Sequence, residues 1–379
     1  MLKVKVKKEE FQKGLAQTSN IAGKFTSMPI LSNVLVEASD GKLSLTATDL
    51  EITFQASYEA EVDEEGRITV PAKTLSEIVH SLGDEYVTLT EKEQLVLEVK
   101  TETFRGDIFG LSPEDFPRIA PVKDVPMATF STDSLIDAIG KTIYSVAANT
   151  TNFNLSGIYW IKENKDDEGE TVRLVSSDSN RLNVATLLPA DIEKFQPDMG
   201  VLISRKALSE LKALAEGSGS VQIGVNINQL AAATDEAVLI MRLLDGKFPD
   251  YNGLLPPPPT MSVELNRRLI SETLRRMNPF TTLKFRVIFF RFSQDSIHIT
   301  TENPELGKAE DKVSIDYSGP EITVGFDPRH LLDALGSLRS ERFRLKYVDL
   351  DTPVVLTADD DPGWLCIVST ISPKEAGAQ

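Results

Sequence analysis

Three histidines (His80, His298 and His330) and one cysteine, Cys366, are the residues of this 379-residue chain best suited to metal binding or covalent catalysis, and their spacing supports neither. The histidines are far apart, none sits near the cysteine, and no HExxH pattern places two of them on one helix face. The sequence also lacks a GxxxxGK[ST] loop and a GxGxxG turn after a strand, either of which would cradle phosphate. Asp49 and Asp178 would suit general acid or base work, but each directly follows a strand-like run. Turn chemistry explains them better, because aspartate closes turns by accepting backbone N–H groups. Gly217-Ser218-Gly219 ends a helical stretch, where glycine caps are expected. What does recur is a base followed four positions later by an acid: Lys73 and Glu77, Lys206 and Glu210, Arg329 and Asp333. A repeated exposed cation suits sequence-independent contact with phosphate. A scatter of solvated surface charge is the plainer alternative.

Those bases open a helix that the chain writes three times. ITVPAKTLSEIVHSL carries Leu75, Ile78, Val79 and Leu82 at helical spacing, behind a short strand ending in Val70. VLISRKALSELKALA repeats it with Ile203, Leu208, Leu211 and Ala215, and ITVGFDPRHLLDALGSL with Phe326, Leu331, Ala334, Leu335 and Leu338. Val70, Ile203 and Phe326 hold one place, 133 and 123 positions apart. A second landmark, Asp49 in SLTATDL, Asp178 in RLVSSDS and Asn303 in IHITTEN, recurs at 129 and 125 positions. Two markers with one period predict three copies of one domain, over residues 1–120, 128–255 and 261–379. Proline marks the joints, at Pro117, Pro121 and Pro126 and in the run Pro256–Pro259.

Each copy should be α+β, with two helices packed on antiparallel sheets of about eight short strands. Phe11 and Leu15 mark the first helix of copy one. In copy two Ser131 or Thr132 is the expected cap of a helix carrying Leu135, Ile136, Ile139 and Ile143. Leu265, Leu269 and Met277 mark the corresponding helix of copy three, with Arg268 and Arg275 seven apart on its opposite face. The formal charge of −17 excludes an all-round basic surface but allows one basic face. A lone cysteine, no apolar run long enough to span a bilayer and an alternating N-terminal strand in place of a signal peptide make a cytoplasmic protein the expectation.

Four stretches resemble the bacterial DNA polymerase III beta subunit, the processivity sliding clamp: MPILSNVLVEASDGKLSLTATDLEI (28–52), VPAKTLSEI, SSDSNRL (176–182) and LLDGKFPDYNGLLP (243–256). The resemblance spans nearly the whole chain. It implies three clamp domains per chain and a head-to-tail homodimer closed as a ring, with helices lining the hole and no catalysis, cofactor or metal. The implied partners are duplex DNA, a replicative polymerase, a clamp loader and other proteins bearing clamp-binding motifs. By the same resemblance Lys24, Lys73, Asn149, Phe153, Arg205 and Lys206 fall at DNA-facing positions, joined by Arg268, Arg275 and Arg329 from the repeat. Leu155, Ser177, Ser179, Arg181, Leu182, Pro249 and Leu254 match an outer cleft for short partner motifs, and Ile108 and Phe280 a dimer interface. Where the family often ends in a MPMRL-like tail that lines the cleft, this chain has Ile367, Ser369 and Ile371 and continues. Ser179 stands where the family usually has glycine. The altered tail leaves a diverged paralogue with a specialised partner as one alternative. Without the resemblance, an enzyme or ligand-binding protein of triplicated domains would be the other.

Overall fold

Each third of the chain folds into the same succession: strand, helix, four strands, helix, three strands. In the first, β1 (Lys3–Lys7) and α1 (Lys8–Ile21) precede β2 (Asn33–Ser39), β3 (Lys42–Thr48), β4 (Ile52–Glu64) and β5 (Gly66–Pro71); α2 (Ala72–Ser81) leads to β6 (Tyr86–Lys92), β7 (Val96–Lys100) and β8 (Arg105–Phe109). The second has β9 (Ala128–Ser131), α3 (Thr132–Thr142), β10 (Gly157–Lys165), β11 (Gly169–Ser177), β12 (Arg181–Leu187), β13 (Val201–Ser204), α4 (Arg205–Ala215), β14 (Ser220–Val225), β15 (Gln229–Ala233) and β16 (Ala237–Arg242). The third has β17 (Met261–Asn266), α5 (Arg267–Met277), β18 (Ile288–Ser293), β19 (Ser296–Asn303), β20 (Gly307–Ser314), β21 (Ile322–Phe326), α6 (Pro328–Ser337), β22 (Arg342–Tyr347), β23 (Val354–Ala358) and β24 (Asp361–Val368). This computed structural model describes residues 1–379 apart from 24–26, 120–124, 148–152, 166–168, 198–199, 350–351 and 373–379.

The second helices bury the stripes their spacing dictates. Leu75 and Val79 are inside on α2, Leu208, Leu211 and Ala215 on α4, and Leu331, Ala334 and Leu335 on α6. Side chains start two of the helices. Asn266 accepts a hydrogen bond from the Leu269 N–H at 2.9 Å on α5, and Asp327 one from the Arg329 N–H at 3.0 Å on α6. The expected cap on α3 is absent at Thr132: it is the first helical residue, and its buried hydroxyl has no hydrogen-bond partner among the described residues. Two marks of the third copy's first helix also differ. Leu265 lies on β17, and Leu269 is 39% exposed, so Ile270, Leu274 and Met277 carry the buried stripe.

The chain divides into two compact units, which cut through the second repeat. Unit 1 comprises Met1–Asp133, Pro189–Asp198 and Lys206–Leu243; unit 2 comprises Ser134–Leu188, Met199–Arg205 and Leu244–Gln379. Unit 1 holds one 12-stranded sheet in the order β8-β7-β6-β1-β4-β16-β15-β14-β9, with β3 also on β4, β2 on β3 and β5 on β2. Unit 2 holds an eight-stranded sheet, β13-β10-β11-β12-β24-β23-β22-β17, and a four-stranded one, β20-β19-β18-β21. All strand pairs are antiparallel, which short connections allow. Neighbouring repeats therefore share sheets: β4 of the first pairs with β16 of the second, and β12 of the second with β24 of the third.

Candidate functional site

The recurring Asp/Asn landmark is a turn device. Asp49 Oδ1 accepts the N–H groups of Glu51 and Ile52 at 3.0 and 2.7 Å, and Asp178 Oδ1 those of Asn180 and Arg181, both at 3.1 Å. Asn303 Oδ1 does the same for Glu305 and Leu306, at 2.9 and 3.3 Å. A carboxylate or amide oxygen so placed closes the β3–β4, β11–β12 and β19–β20 hairpins, and only its oxygen is needed, so asparagine serves equally. The residue after the aspartate is left-handed, with φ of 75° at both Leu50 and Ser179. That conformation favours glycine, so a serine at 179 carries backbone strain of about 1 kcal/mol.

The sequence-selected bases among the described residues lie at helix surfaces. Lys73, Arg205, Lys206, Arg268, Arg275 and Arg329 are exposed, on α2, α4, α5 and α6, while Lys24, Asn149 and the side chain of Phe153 lie outside the described residues. Several lean on a carboxylate: Lys73 on Glu77 at 3.6 Å, Lys206 on Asp49, Arg268 on Glu272 at 2.8 Å, and Arg329 on Asp327 at 2.7 Å. The Lys73–Glu77 and Arg268–Glu272 pairs are exposed at both ends and therefore weak, so a phosphate oxygen can displace those carboxylates. Asp327 is held below the ordinary carboxylate range. Its burial works the other way, but hydrogen bonds from the Arg329 side chain and N–H outweigh it.

The recurring acid, by contrast, has a different job in each copy. Glu77 pairs with Lys73 on its own helix, and Asp333 takes Arg181. Glu210 is only 8% exposed, and its Oε2 has no hydrogen-bond partner among the described residues. Burial pushes its carboxyl above the ordinary value, and the nearby Asp49 charge adds to that against the opposing pull of Lys206. A carboxyl with a raised folded pKa binds its proton more tightly when folded. Its presence therefore costs nothing at pH below the unfolded value and lowers stability as pH rises through the folded one. Glu210→Gln should match the wild-type melting temperature near pH 4 and exceed it near pH 7.5, read by thermal unfolding at roughly those two pH values.

On the outer face of the second repeat the sheet is apolar. Val175 and Leu182, with Val184 beside them, sit on β11 and β12 in the pairs Val175–Val184 and Ser177–Leu182. The same pairs counted from the turn are Thr46–Gln55 and Thr48–Thr53 in the first repeat, and Thr300–Glu310 and Glu302–Lys308 in the third. In the third copy all four of these residues are exposed, which marks the face as turned away from the core. In the second copy it gathers a cluster of its own, with Leu155, Leu202, Phe248, Tyr251, Val355 and Ile367. β24 shows both faces at once: Trp364, Cys366 and Val368 enter the main core of unit 2, while Ile367 enters the outer cluster. Tyr159 stacks on Phe248 with centroids 5.2 Å apart, and the exposed Pro249 and Leu254 (52% exposed) follow on the same segment.

Of the residues matched to a cleft, the structure thus gathers Leu155, Leu182 and Ile367 in one cluster. Ser177 serves the turn, donating to the Arg181 carbonyl at 2.9 Å and accepting from the Ser179 N–H at 3.2 Å. The Ser369 N–H donates to the Asn180 carbonyl at 2.9 Å, and Ile371 pairs with Gly325 of β21. Val175, Val184, Val355, Phe248 and Tyr251 were missed from the sequence. The unbroken apolar run WLCIV on β24 is the signal that both faces of this sheet are covered. On the third repeat the corresponding face is open, a groove of about 940 Å³ lined by Phe289, Arg291, His298, Thr300, Lys308 and Glu310.

Arg181 fastens the turn to α6. Its side chain donates to Asp178 at 2.9 Å, to Asp333 at 2.7 Å and to the Tyr144 carbonyl at 3.1 Å, and its plane lies 5.0 Å from the Tyr144 ring centroid. Burial disfavours its charge, but the Asp333 and Asp178 carboxylates raise its pKa nonetheless. Cys366 is fully buried, which pushes its thiol up to about 12 and leaves no reactive thiolate. No cluster of histidine, cysteine or acidic residues among the described residues has the grouping of a metal site. Ile108 is 5% exposed within its own sheet, while Phe109 beside it is 80% exposed and Leu111 41%. Phe280 is half-buried in a short 3₁₀ turn after α5.

Three family models match in order: the N-terminal domain of the DNA polymerase III beta subunit over residues 2–120, its central domain over 129–250 and its C-terminal domain over 252–368. The beta sliding clamp of Escherichia coli K12 is 30% identical, over 92% of this chain and 93% of that protein. The solved DNA polymerase III subunit beta of Pseudomonas aeruginosa superposes with a TM-score of 0.89 at 29% identity, covering 97% of this chain and 99% of the other. A sliding clamp from Bartonella birtlesii, solved bound to griselimycin, gives 0.91 at 26% identity over 98% of this chain and 100% of its own. The chain belongs to the DNA polymerase III beta subunit family.

Proposed function

We propose that this chain is a sliding clamp, in which two copies joined head to tail close a ring of six repeats around duplex DNA and tether a polymerase to it. The domains 1–120, 128–255 and 261–379 are the ring's repeating units. One observation carries the reading: neighbouring repeats join through the same strand pair twice, β4 with β16 and β12 with β24. The corresponding strands left over are β20 at one end and β8 at the other, each an edge of its sheet. A joint that repeats head to tail either closes a ring or runs on as a filament, and a second copy offers both missing partners.

The action is mechanical. A closed ring cannot fall from a long duplex, so affinity for DNA is needed only to centre it. Exposed bases at helix surfaces suit that task, since phosphate contacts carry no sequence information and weaken with salt. The apolar cluster on the second repeat's outer face is the docking place for short motifs of the polymerase, the clamp loader and other partners. The chain itself catalyses nothing and works in the cytoplasm; no helix of the described residues is long and apolar enough to cross a membrane. The test is retention on plasmid after loading by a clamp loader. The expected result is a species of twice the chain mass by light scattering, held on circles and lost from linearised DNA. Equal release from both forms would overturn the reading.

A further inference from the structure

In each repeat the chain leaves the last strand and meets the end strand β5, β13 or β21 at the same place. The N–H groups of Leu111, Leu244 and Ile371 donate to the carbonyls of Thr69, Leu202 and Gly325, at 3.0, 2.8 and 2.8 Å. Those three residues lie directly opposite Leu35, Tyr159 and Phe289 on the next strand. In two repeats the segment that follows folds over this face. Phe116 gathers with Ile30 and Leu31, and Leu35 and Ile119 pack against them. Phe248 stacks on Tyr159, with Tyr251 in the same cluster. Both segments read Phe-Pro-x-Ile or Phe-Pro-x-Tyr, at 116–119 and 248–251.

The third repeat has the face without the cover. After Ile371 the sequence SPKEAGAQ holds no aromatic and no large aliphatic residue. Phe289 is half-buried in the open groove, and among the described residues no ring stacks on it. The row beside it is Arg291–His298–Lys312, three exposed side chains directly opposite one another across β18, β19 and β20. Arg291 leans on Glu321, but the two side chains are 58% and 57% exposed, which makes the pair weak. In the first repeat the matching row runs from Arg67 through Glu37. There the covering segment meets Arg67 with Glu114, two residues before its phenylalanine.

We propose that this groove takes an extended acidic segment of a partner protein, of the type Glu-Asp-Phe-Pro, with its phenylalanine stacked on Phe289 and its acids over the Arg291–His298–Lys312 row. The chain itself shows the fit twice, since Phe116 and Phe248 fill that place on the other repeats. Charge selects the acidic version, because Arg291 and Lys312 make the row positive in a chain of net charge −17. Glu310 lies in the row of Phe289 and Glu302 beyond it, so acids are welcome on one side alone, which sets the direction of the segment. Every residue of the site belongs to the third repeat, so it needs no second copy and stands apart from the ring reading.

The probe is the chain's own covering segment, a fluorescent peptide SPEDFPRI (residues 112–119), titrated against the full chain by anisotropy. It should bind saturably at one site per chain, and SPEDAPRI should bind at least about tenfold more weakly. Phe289→Ala should cost about tenfold or more in affinity for SPEDFPRI. Arg291→Glu, at an exposed side chain, should do the same and keeps the test open if Phe289→Ala fails to fold. Absence of saturable binding to the wild-type chain overturns the proposal. Binding lost in Leu182→Thr and kept in Phe289→Ala would place the peptide on the second repeat and overturns it too. Binding that appears only when residues 373–379 are removed gives the groove to the chain's own tail, and binding that falls as the chain self-associates gives it to a second copy. Either result overturns a partner segment as the occupant.

Discussion

Replacing Leu182 by threonine, the residue the first repeat carries at the corresponding Thr53, should weaken capture of a short apolar partner motif ten- to a hundredfold. Leu182 is 4% exposed and packs with Leu155, Val184 and Ile367 in the outer cluster. Removing its branched end forfeits roughly 1.5–3 kcal/mol of apolar contact, and each 1.4 kcal/mol is a factor of about ten in Kd. The fold should survive, because two other repeats carry polar residues there, though the thermal midpoint should drop by a few degrees. Leu254→Ser separates binding from stability. Leu254 is 52% exposed, so its replacement should leave the melting temperature within about 1 °C and still cost about tenfold in motif affinity. Titration of a labelled motif peptide from a polymerase checks both, and unchanged affinity in both variants would remove the cluster from consideration as the docking place.

Arg181→Ala should destabilise unit 2 strongly. The substitution leaves Asp178 and Asp333 without their shared cation and removes the donor to the Tyr144 carbonyl. Breaking a buried ion pair from one side typically costs about 3–5 kcal/mol. The low end applies here, because the Asp333 side chain is 45% exposed and recovers water. About 3 kcal/mol in a unit of this size lowers the thermal midpoint by roughly 6–12 °C. Arg181→Lys should recover little of that loss, since one ammonium cannot reach two carboxylates and a carbonyl with the geometry of a guanidinium fork. Thermal unfolding of the two variants decides it. A fall of under about 2 °C in Arg181→Ala would mean that the turn is held by its backbone hydrogen bonds alone.

What is legible in the sequence alone is what is local. The helix stripes at Leu75, Leu208 and Leu331 follow from a period of 3.6, and the Asp49, Asp178 and Asn303 turns from a side-chain oxygen two or three residues from the N–H groups it accepts. The threefold repeat needed only comparison of the chain with itself. Strands β8, β12 and β20 are the hardest to read from sequence: β8 and β20 are rich in charge on their outward face, and β12 carries an arginine and an asparagine, which masks an alternating pattern.

Tertiary structure decided the partners. Lys206 reaches Asp49 across 157 positions and Arg181 reaches Asp333 across 152, and no spacing rule links residues so far apart. It also decided that Glu210, written in the sequence as one of three equivalent acids, is the buried one, because only packing tells a solvated helix face from a covered one. Ile108 and Phe109 make the same point at the edge of a sheet. The sequence by itself determined that the chain is one domain written three times with basic helix starts. Which face of each copy is covered, and which strand edges are left unpaired, depended on contacts between copies, where the three versions of the repeat have diverged.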